Sequence, residues 1–333
     1  MSLKVVILLL FQLIALSVAQ AGHRWQAFKN WIDSADIVGA DTNYVYLPKE
    51  GFIGAIGLKA AGARLNLSQD LSNGFGREQS LSGSFSSRLA VVSIGLHYRG
   101  WGWTFSRDLM NPGDYEFSYC SYGQTRGAEF RIHSSNEMTG NLHNNASDGP
   151  DSDTHVGPGM LRKRVTLFNY YHVFNHEYFS LPAAMTQTVI QRRSSGSWLV
   201  AANYHHTHLR LHGNLLTPIV NFNNLSLSQF CIGGGYAYNY VFSDQRFLLH
   251  GSLMPMVSLG HRNRFYYGED TERLHQQQRF SVNANAHVSI IYNFFRYVAG
   301  ASSIYNLDSM HASHGFSLEA VDWTTNIFFG LRF

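Results

Sequence analysis

From Phe230 to Phe242 the chain alternates strictly with period 2. Phe230, Ile232, Tyr236, Tyr238, Tyr240 and Phe242 fall on one face, and Cys231, Gly233, Gly235, Ala237 and Asn239 on the other. The pattern resumes after Ser243-Asp244-Gln245-Arg246, with Phe247, Leu249, Leu253, Val257 and Leu259 opposing His250, Ser252, Met254 and Ser258. It returns between Phe280 and Tyr292, where Val282, Ala284, Ala286, Val288 and Ile290 oppose Asn283, Asn285, His287 and Ser289. A period of 2 places alternate side chains on opposite faces of a strand. Such strands are half apolar and half polar along their whole length. Runs of about 11–13 residues exceed the ~5–6 of ordinary soluble strands and reach the ~9–11 tilted residues that cross a bilayer. The pattern therefore predicts an all-β fold, a transmembrane antiparallel up-and-down β-barrel with an apolar outer face and a polar lumen.

Composition agrees. Charged residues make up only 14%, against ~25% in soluble domains. Aromatics make up 14%, with 18 Tyr and 23 Phe. The net charge of +3 is too small to imply a nucleic-acid partner, and the basic runs are short: Arg162-Lys163-Arg164 and Arg192-Arg193. Basic strand ends beside an anionic leaflet and ordinary solvated charge both fit them.

Residues 1–21 read as a secretory signal: Lys4, an apolar stretch from Val5 to Ala15, and the small-x-small exit Ala19-Gln20-Ala21, which places the mature start at Gly22. No Cys follows the apolar run, which argues against a lipoprotein. Later apolar runs are too short for a transmembrane helix, so a membrane-embedded mature chain must span as a barrel. Residues 22–50 form a periplasmic lead-in segment, where Trp25, Phe28, Trp31 and Ile32 have helical spacing, and 51–333 the outer-membrane β-barrel.

Further strands are expected at 53–67, 83–98, 101–109, 115–122, 127–134, 161–174, 177–186, 196–210, 295–304 and 316–333, with 214–220 doubtful. Short turns are expected at Arg99-Gly100, Gly123–Gly127, Asn175-His176, 243–246 and Asn293-Phe294, and long polar connections at 69–81, 135–160, 261–278 and 305–315. These bound the barrel to 12–14 strands, 14 favoured. The 135–160 stretch, rich in Asn, Asp and Ser, reads as a mobile exterior loop. It lacks the Gly and distal Glu of a calcium loop.

At the end of the sequence Ile327, Phe329, Leu331 and Phe333 alternate with Thr324, Asn326, Gly330 and Arg332. A final aromatic on an alternating strand resembles the signal read by the outer-membrane barrel assembly machinery. It predicts that loss of Phe333 blocks assembly and that Arg332, on the opposite face, matters little.

Several stretches carry a family resemblance: Asp41-Thr42-Asn43-Tyr44-Val45, Gly95-Leu96-His97-Tyr98-Arg99-Gly100, Phe179-Ser180-Leu181-Pro182-Ala183-Ala184, Gln191-Arg192-Arg193-Ser194-Ser195-Gly196-Ser197 and Gly234-Gly235-Tyr236-Ala237-Tyr238. Together they resemble a family of Bacteroidota outer-membrane barrels known only as a domain of unknown function. The resemblance implies location and fold and supplies no catalytic residue.

The lumen is expected to be lined by His97, Glu116, Glu129, Arg131, His133, His250, Asn283, Asn285, His287 and Arg296. Mixed charge there favours a narrow or blocked interior over an ion-selective pore, and the polar lumen is expected to tolerate Arg at Asn285 better than the lipid face tolerates Arg at Val288. His206 and His208 share a strand face and could grip a metal, but the sequence offers no third ligand. Export makes a Cys120–Cys231 disulfide possible without arguing for one. Barrel hydrolases using a Ser–His pair at the lipid face exist, but no nucleophile elbow occurs. The expected role is therefore a non-enzymatic outer-membrane barrel without cofactor, serving in structure, binding or small-solute passage. Its partners would be outer-membrane lipid and the assembly machinery. A lipid-modifying hydrolase or acyltransferase and a soluble periplasmic β-sandwich are the alternatives.

Overall fold

The computed structural model describes residues 39–70, 79–108, 111, 113–146, 152–211, 224–267, 270–272, 281–311 and 317–333. The signal segment 1–21, the Trp25–Ile32 stretch and the doubtful strand 214–220 lie outside them.

The main sheet has 13 strands. One, Asp270–Glu272, only folds back on its neighbour. The others are β1 (Phe52–Asp70), β2 (Gln79–Tyr98), β3 (Trp101–Arg107), β4 (Tyr115–Tyr122), β5 (Arg126–Ala146), β6 (Ser152–Val173), β7 (Ser195–Leu211), β8 (Asn224–Phe242), β9 (Phe247–Tyr267), β10 (Val282–Phe294), β11 (Tyr297–His311) and β12 (Ser317–Arg332). Each pairs antiparallel with its sequence neighbours, and β12 pairs with β1, so these twelve close into an up-and-down barrel. Closure leaves no free edge. The β3–β4 hairpin is short. Beyond it, Gln79–Ser86 of β2 pairs directly with Thr139–Ala146 of β5, so the ring narrows toward that end.

One end carries the short turns. At Arg99-Gly100 both central residues have positive φ, 48° and 83°, the two-residue hairpin turn whose twist matches the flanking strands. Ser243–Arg246 and Phe295-Arg296 close at the same end. Residues 174–194 also return at this end, and the remaining connections lie at the other, loop end.

Outward side chains form an apolar band. Leu58, Trp198 and Val282 are 68%, 66% and 67% exposed, an area of apolar surface that water would penalise. On β8 the band runs from Tyr240 to Phe230, about 33 Å of strand, which at a tilt of ~40° covers roughly 25 Å, the height of a barrel's lipid-facing belt. Inward positions of the same strands are buried, including Asn239, His250, Asn283 and His287. A β-sandwich would bury the apolar face and wet the polar one; here the faces are reversed.

Three expectations are corrected. Within the stretch 135–160 the described residues are not loop: 135–146 belong to β5 and 152–160 to β6, paired antiparallel, because their polar residues alternate outward beyond the apolar band. The turn expected at Asn293-Phe294 lies at Phe295-Arg296. The strand expected at 177–186 and its turn at Asn175-His176 are replaced by an inward fold containing α1 (Leu181–Met185). There Pro182 starts a helical turn with a fixed φ, and Leu181, Ala183 and Ala184 are buried, a pattern with no alternation.

Candidate functional site

The lumen is filled in three layers. At the turn end, residues 174–194 between β6 and β7 fold into the mouth as a stopper. Phe179 and Leu181 pack against Tyr122, Tyr171, Leu199 and Met254, and Ala183 and Ala184 against Ile53, Leu248, Ile291 and Val298. Polar bonds hold it around the rim. Gln124 Nε2 donates to the carbonyls of His176 and Phe179 (2.5 and 2.9 Å). Asn239 Nδ2 donates to Ser180 O at 2.9 Å, and Arg332 Nη2 to Gln187 O at 3.1 Å. His97 Nδ1 lies 3.0 Å from Thr186 O, and Gly100 N–H donates to Thr188 Oγ1 at 2.9 Å. Val45–Tyr46 adds a two-residue strand pairing with Ile190–Gln191. Buried carbonyls of an irregular segment need such donors, and the barrel wall supplies them.

The middle layer is charged and paired. Lys59 Nζ donates to Glu116 Oε1 at 2.6 Å and to Ser106 Oγ at 3.1 Å. His133 Nδ1 is 3.7 Å from Glu116 Oε2. Arg131 Nη2 donates to Glu129 Oε1 at 2.6 Å, whose other oxygen accepts from Tyr122 and Asn169. Lys163 Nζ donates to Asp322 at 2.6 Å, and His205 Nδ1 is 2.9 Å from Asp308 Oδ2. Asn283 Nδ2 donates to Gln229 and to Asp308, and Asn285 Nδ2 to Asn306 Oδ1 at 2.6 Å. Charges removed from water must be paired, and here each cation crosses the lumen or the strand to a carboxylate. The layer leaves one cavity of about 140 Å³ against the stopper and another of about 50 Å³ above it, room for several waters.

The third layer, toward the loop end, is apolar: Leu65, Phe85, Met138, Leu161, Leu225, Leu227 and Leu318 meet across the lumen.

Of the ten lumen candidates, nine face inward. His97 and His250 meet the stopper directly or through Asn239. Glu116, Glu129, Arg131, His133, Asn285 and His287 line the cavities of the charged layer, and Asn283 joins it through Asp308. Arg296 does not face the lumen: it stands in the Phe295-Arg296 turn, 69% exposed, with Nε 3.7 Å from Glu50 Oε1. Sequence reasoning missed Lys59, Lys163 and Arg332. Parity could have found the first two, since Lys59 alternates with outward Leu58 and Lys163 with outward Arg164. Arg332 had the right parity, but its stopper partner is remote in sequence. Ile327, Phe329, Leu331 and Phe333 all face outward.

Cys120 and Cys231 are both free thiols. His206 and His208 project from the outer face of β7, where His206 Nδ1 lies 2.8 Å from Ser228 Oγ. No group of three potential metal ligands converges among the described residues.

Residues 40–333 match the family described as Domain of unknown function (DUF4421). The chain belongs to this family. The match spans the whole barrel and the Val45–Tyr46 pairing that seats the stopper, so both are parts of the DUF4421 unit. No curated protein matches the sequence. Among solved structures, this DUF4421 chain is similar to the outer membrane protease OmpT of Escherichia coli (8% identity, 88% of this chain and 100% of that one, TM-score 0.42). It is also similar to the translocator domain of the autotransporter NalP of Neisseria meningitidis (11%, 95% and 97%, TM-score 0.36). A third is the outer membrane protein OprG of Pseudomonas aeruginosa (10%, 88% and 99%, TM-score 0.28). The first and third are outer-membrane proteins, and the second is the translocator domain of an autotransporter.

Proposed function

We propose that the protein is a stoppered barrel of the bacterial outer membrane, exported by removal of residues 1–21, with a structural or ligand-binding role and no enzymatic activity. The outward apolar band of roughly 25 Å supports the location; origin in Bacteroidota rests on the sequence resemblance alone. The observation that carries the role is the stopper, whose carbonyls are bonded to the wall by Gln124, Asn239 and Arg332. A segment held by so many buried donors is part of the resting state, and passage of a solute requires it to move. Planar-bilayer recording tests this. The wild-type barrel should show no steady conductance, and replacing residues 176–192 by a short Gly/Ser linker should produce ion flow only when the apolar layer is also opened, as by Met138→Gly, Leu225→Gly and Leu227→Gly. Steady open channels in the wild type would overturn the reading.

One observation favours a second reading. Ser228 and His206 form a hydroxyl–imidazole contact on the outward face just above the apolar band, the arrangement a lipid-facing hydrolase needs. No carboxylate or amide partner for the second ring nitrogen is seen among the described residues, and without one the imidazole is not held in a catalytic tautomer. Release of fatty acid from phospholipid by the wild type, lost in Ser228→Ala, would establish the hydrolase.

A further inference from the structure

The outward face of β6 to β9 changes character abruptly above the apolar band. The aromatic row Phe168, Tyr204 and Phe230 is in register across β6, β7 and β8. The next outward row is Thr166, His206, Ser228 and Arg262, and the one after it Arg164, His208, Ser226 and Arg264. Arg162 and Arg210 pair in the row beyond. Strands lie about 4.8 Å apart and same-face neighbours about 7 Å apart, so these basic side chains share a patch roughly 15 Å on a side. Arg164, Arg210 and Arg262 are exposed, and Arg264 is half-buried. None of these four has a carboxylate partner among the described side chains, and Arg264 Nε has no acceptor. On the far side of the barrel, the same height of β12 and β1 presents one Arg64, one Glu319 and small polar groups such as Ser68 and Ser317. Exposed arginines without a carboxylate partner are therefore denser on β6, β7 and β9 than on β12 and β1.

We infer that this patch binds the phosphorylated headgroup of an anionic lipid, with Arg164, Arg210, Arg262 and Arg264 on the phosphates and the lipid's chains against Phe168, Tyr204 and Phe230. Guanidinium forks match phosphate oxygens in pairs, and rows two to three strands wide suit a headgroup carrying more than one phosphate. Apolar wall immediately below charge is the complement of an amphiphile, whereas a soluble anion would use only the upper half. The inference rests on the membrane reading above.

The test uses the folded full-length barrel in detergent, with lipopolysaccharide and its enzymatically dephosphorylated form as probes and retained lipid read by native mass spectrometry. Insertion into phosphatidylcholine vesicles is scored separately by heat-modifiable gel mobility. Wild type should retain the phosphorylated glycolipid. R164Q/R210Q/R264Q should lose retention by at least about tenfold, given roughly fivefold per basic residue near a charged surface. R64Q, on the far wall, should retain as wild type, and 10 mM inorganic phosphate should not displace the lipid. Equal retention by the triple variant, or equal retention of the dephosphorylated form, overturns the inference while normal insertion leaves the membrane reading standing. Displacement by inorganic phosphate would make this a simple anion site and would also overturn it. Failure of the wild type to insert at all overturns both.

Discussion

Arg332 on β12 donates from Nη2 to the carbonyl of Gln187 at 3.1 Å and to Asn293 Oδ1 at 2.5 Å, so one guanidinium ties the closing strand to the stopper and to the end of β10. It is 1% exposed. The expectation that Arg332 matters little, drawn from its face alone, does not survive this contact.

Arg332→Ala should therefore destabilise the folded barrel by about 2–4 kcal/mol, because it strands a buried carbonyl and a buried amide oxygen. It should also raise stopper mobility. Urea titration of heat-modifiable mobility measures the first, and hydrogen exchange of residues 180–190 the second. Unchanged exchange there would show that Arg332 does not hold the stopper.

Lys59→Met leaves Glu116 facing Ser106 and His133 without its cation, a loss of about 3–5 kcal/mol for a broken buried pair. Lys59→Met combined with Glu116→Gln should recover much of that loss, since no uncompensated charge remains. A double-mutant cycle in denaturant reads the coupling, and additive losses would mean that the pair is screened by water in the neighbouring cavity.

Val288 is 51% exposed on the outer wall, whereas Asn285 is 7% exposed and bonded to Asn306. Val288→Arg should cost roughly 2–4 kcal/mol in lipid, and Val288→Leu almost nothing. Arg at Asn285 is not the tolerated change expected of a polar lumen: it should cost about 1–3 kcal/mol by overpacking. Folding titrations in vesicles separate the two causes, because moving to short-chain detergent should relieve the Val288→Arg defect and leave the Asn285→Arg defect.

Phe333 N–H donates to Phe52 O at 3.0 Å, Phe52 N–H donates back to Phe333 O at 3.2 Å, and the rings stack 5.8 Å apart. Deleting Phe333 removes the last rung of the seam that closes β12 on β1. The protein should then accumulate in the periplasm or be degraded, with Phe333→Ala showing a weaker defect. Membrane fractionation checks this, and normal insertion of the deletion would remove Phe333 from the assembly signal.

Period-2 alternation determined a great deal unaided. It separated wall from lumen on β8, β9, β10 and β12, because a strand's geometry turns every second side chain through the sheet whatever the neighbours are. It also bounded the strand number and put nine of ten lumen candidates inside. Only the tertiary structure decided the rest. Ring closure requires β12 to meet β1, a pairing between residues far apart in sequence, and that pairing gives twelve strands. The stopper was invisible because Leu181–Met185 has no wall periodicity: its burial comes from lumen side chains contributed by strands far apart in sequence, and its carbonyls are satisfied by Gln124, Asn239 and Arg332 from three different parts of the chain. The basic patch was legible only as short runs such as Arg162-Lys163-Arg164, whose middle residue points inward to Asp322 while its neighbours point out. Cross-strand register alone brings the outward arginines of β6, β7 and β9 into one patch, because lateral proximity in a sheet is set by hydrogen-bond pairing and not by distance along the chain.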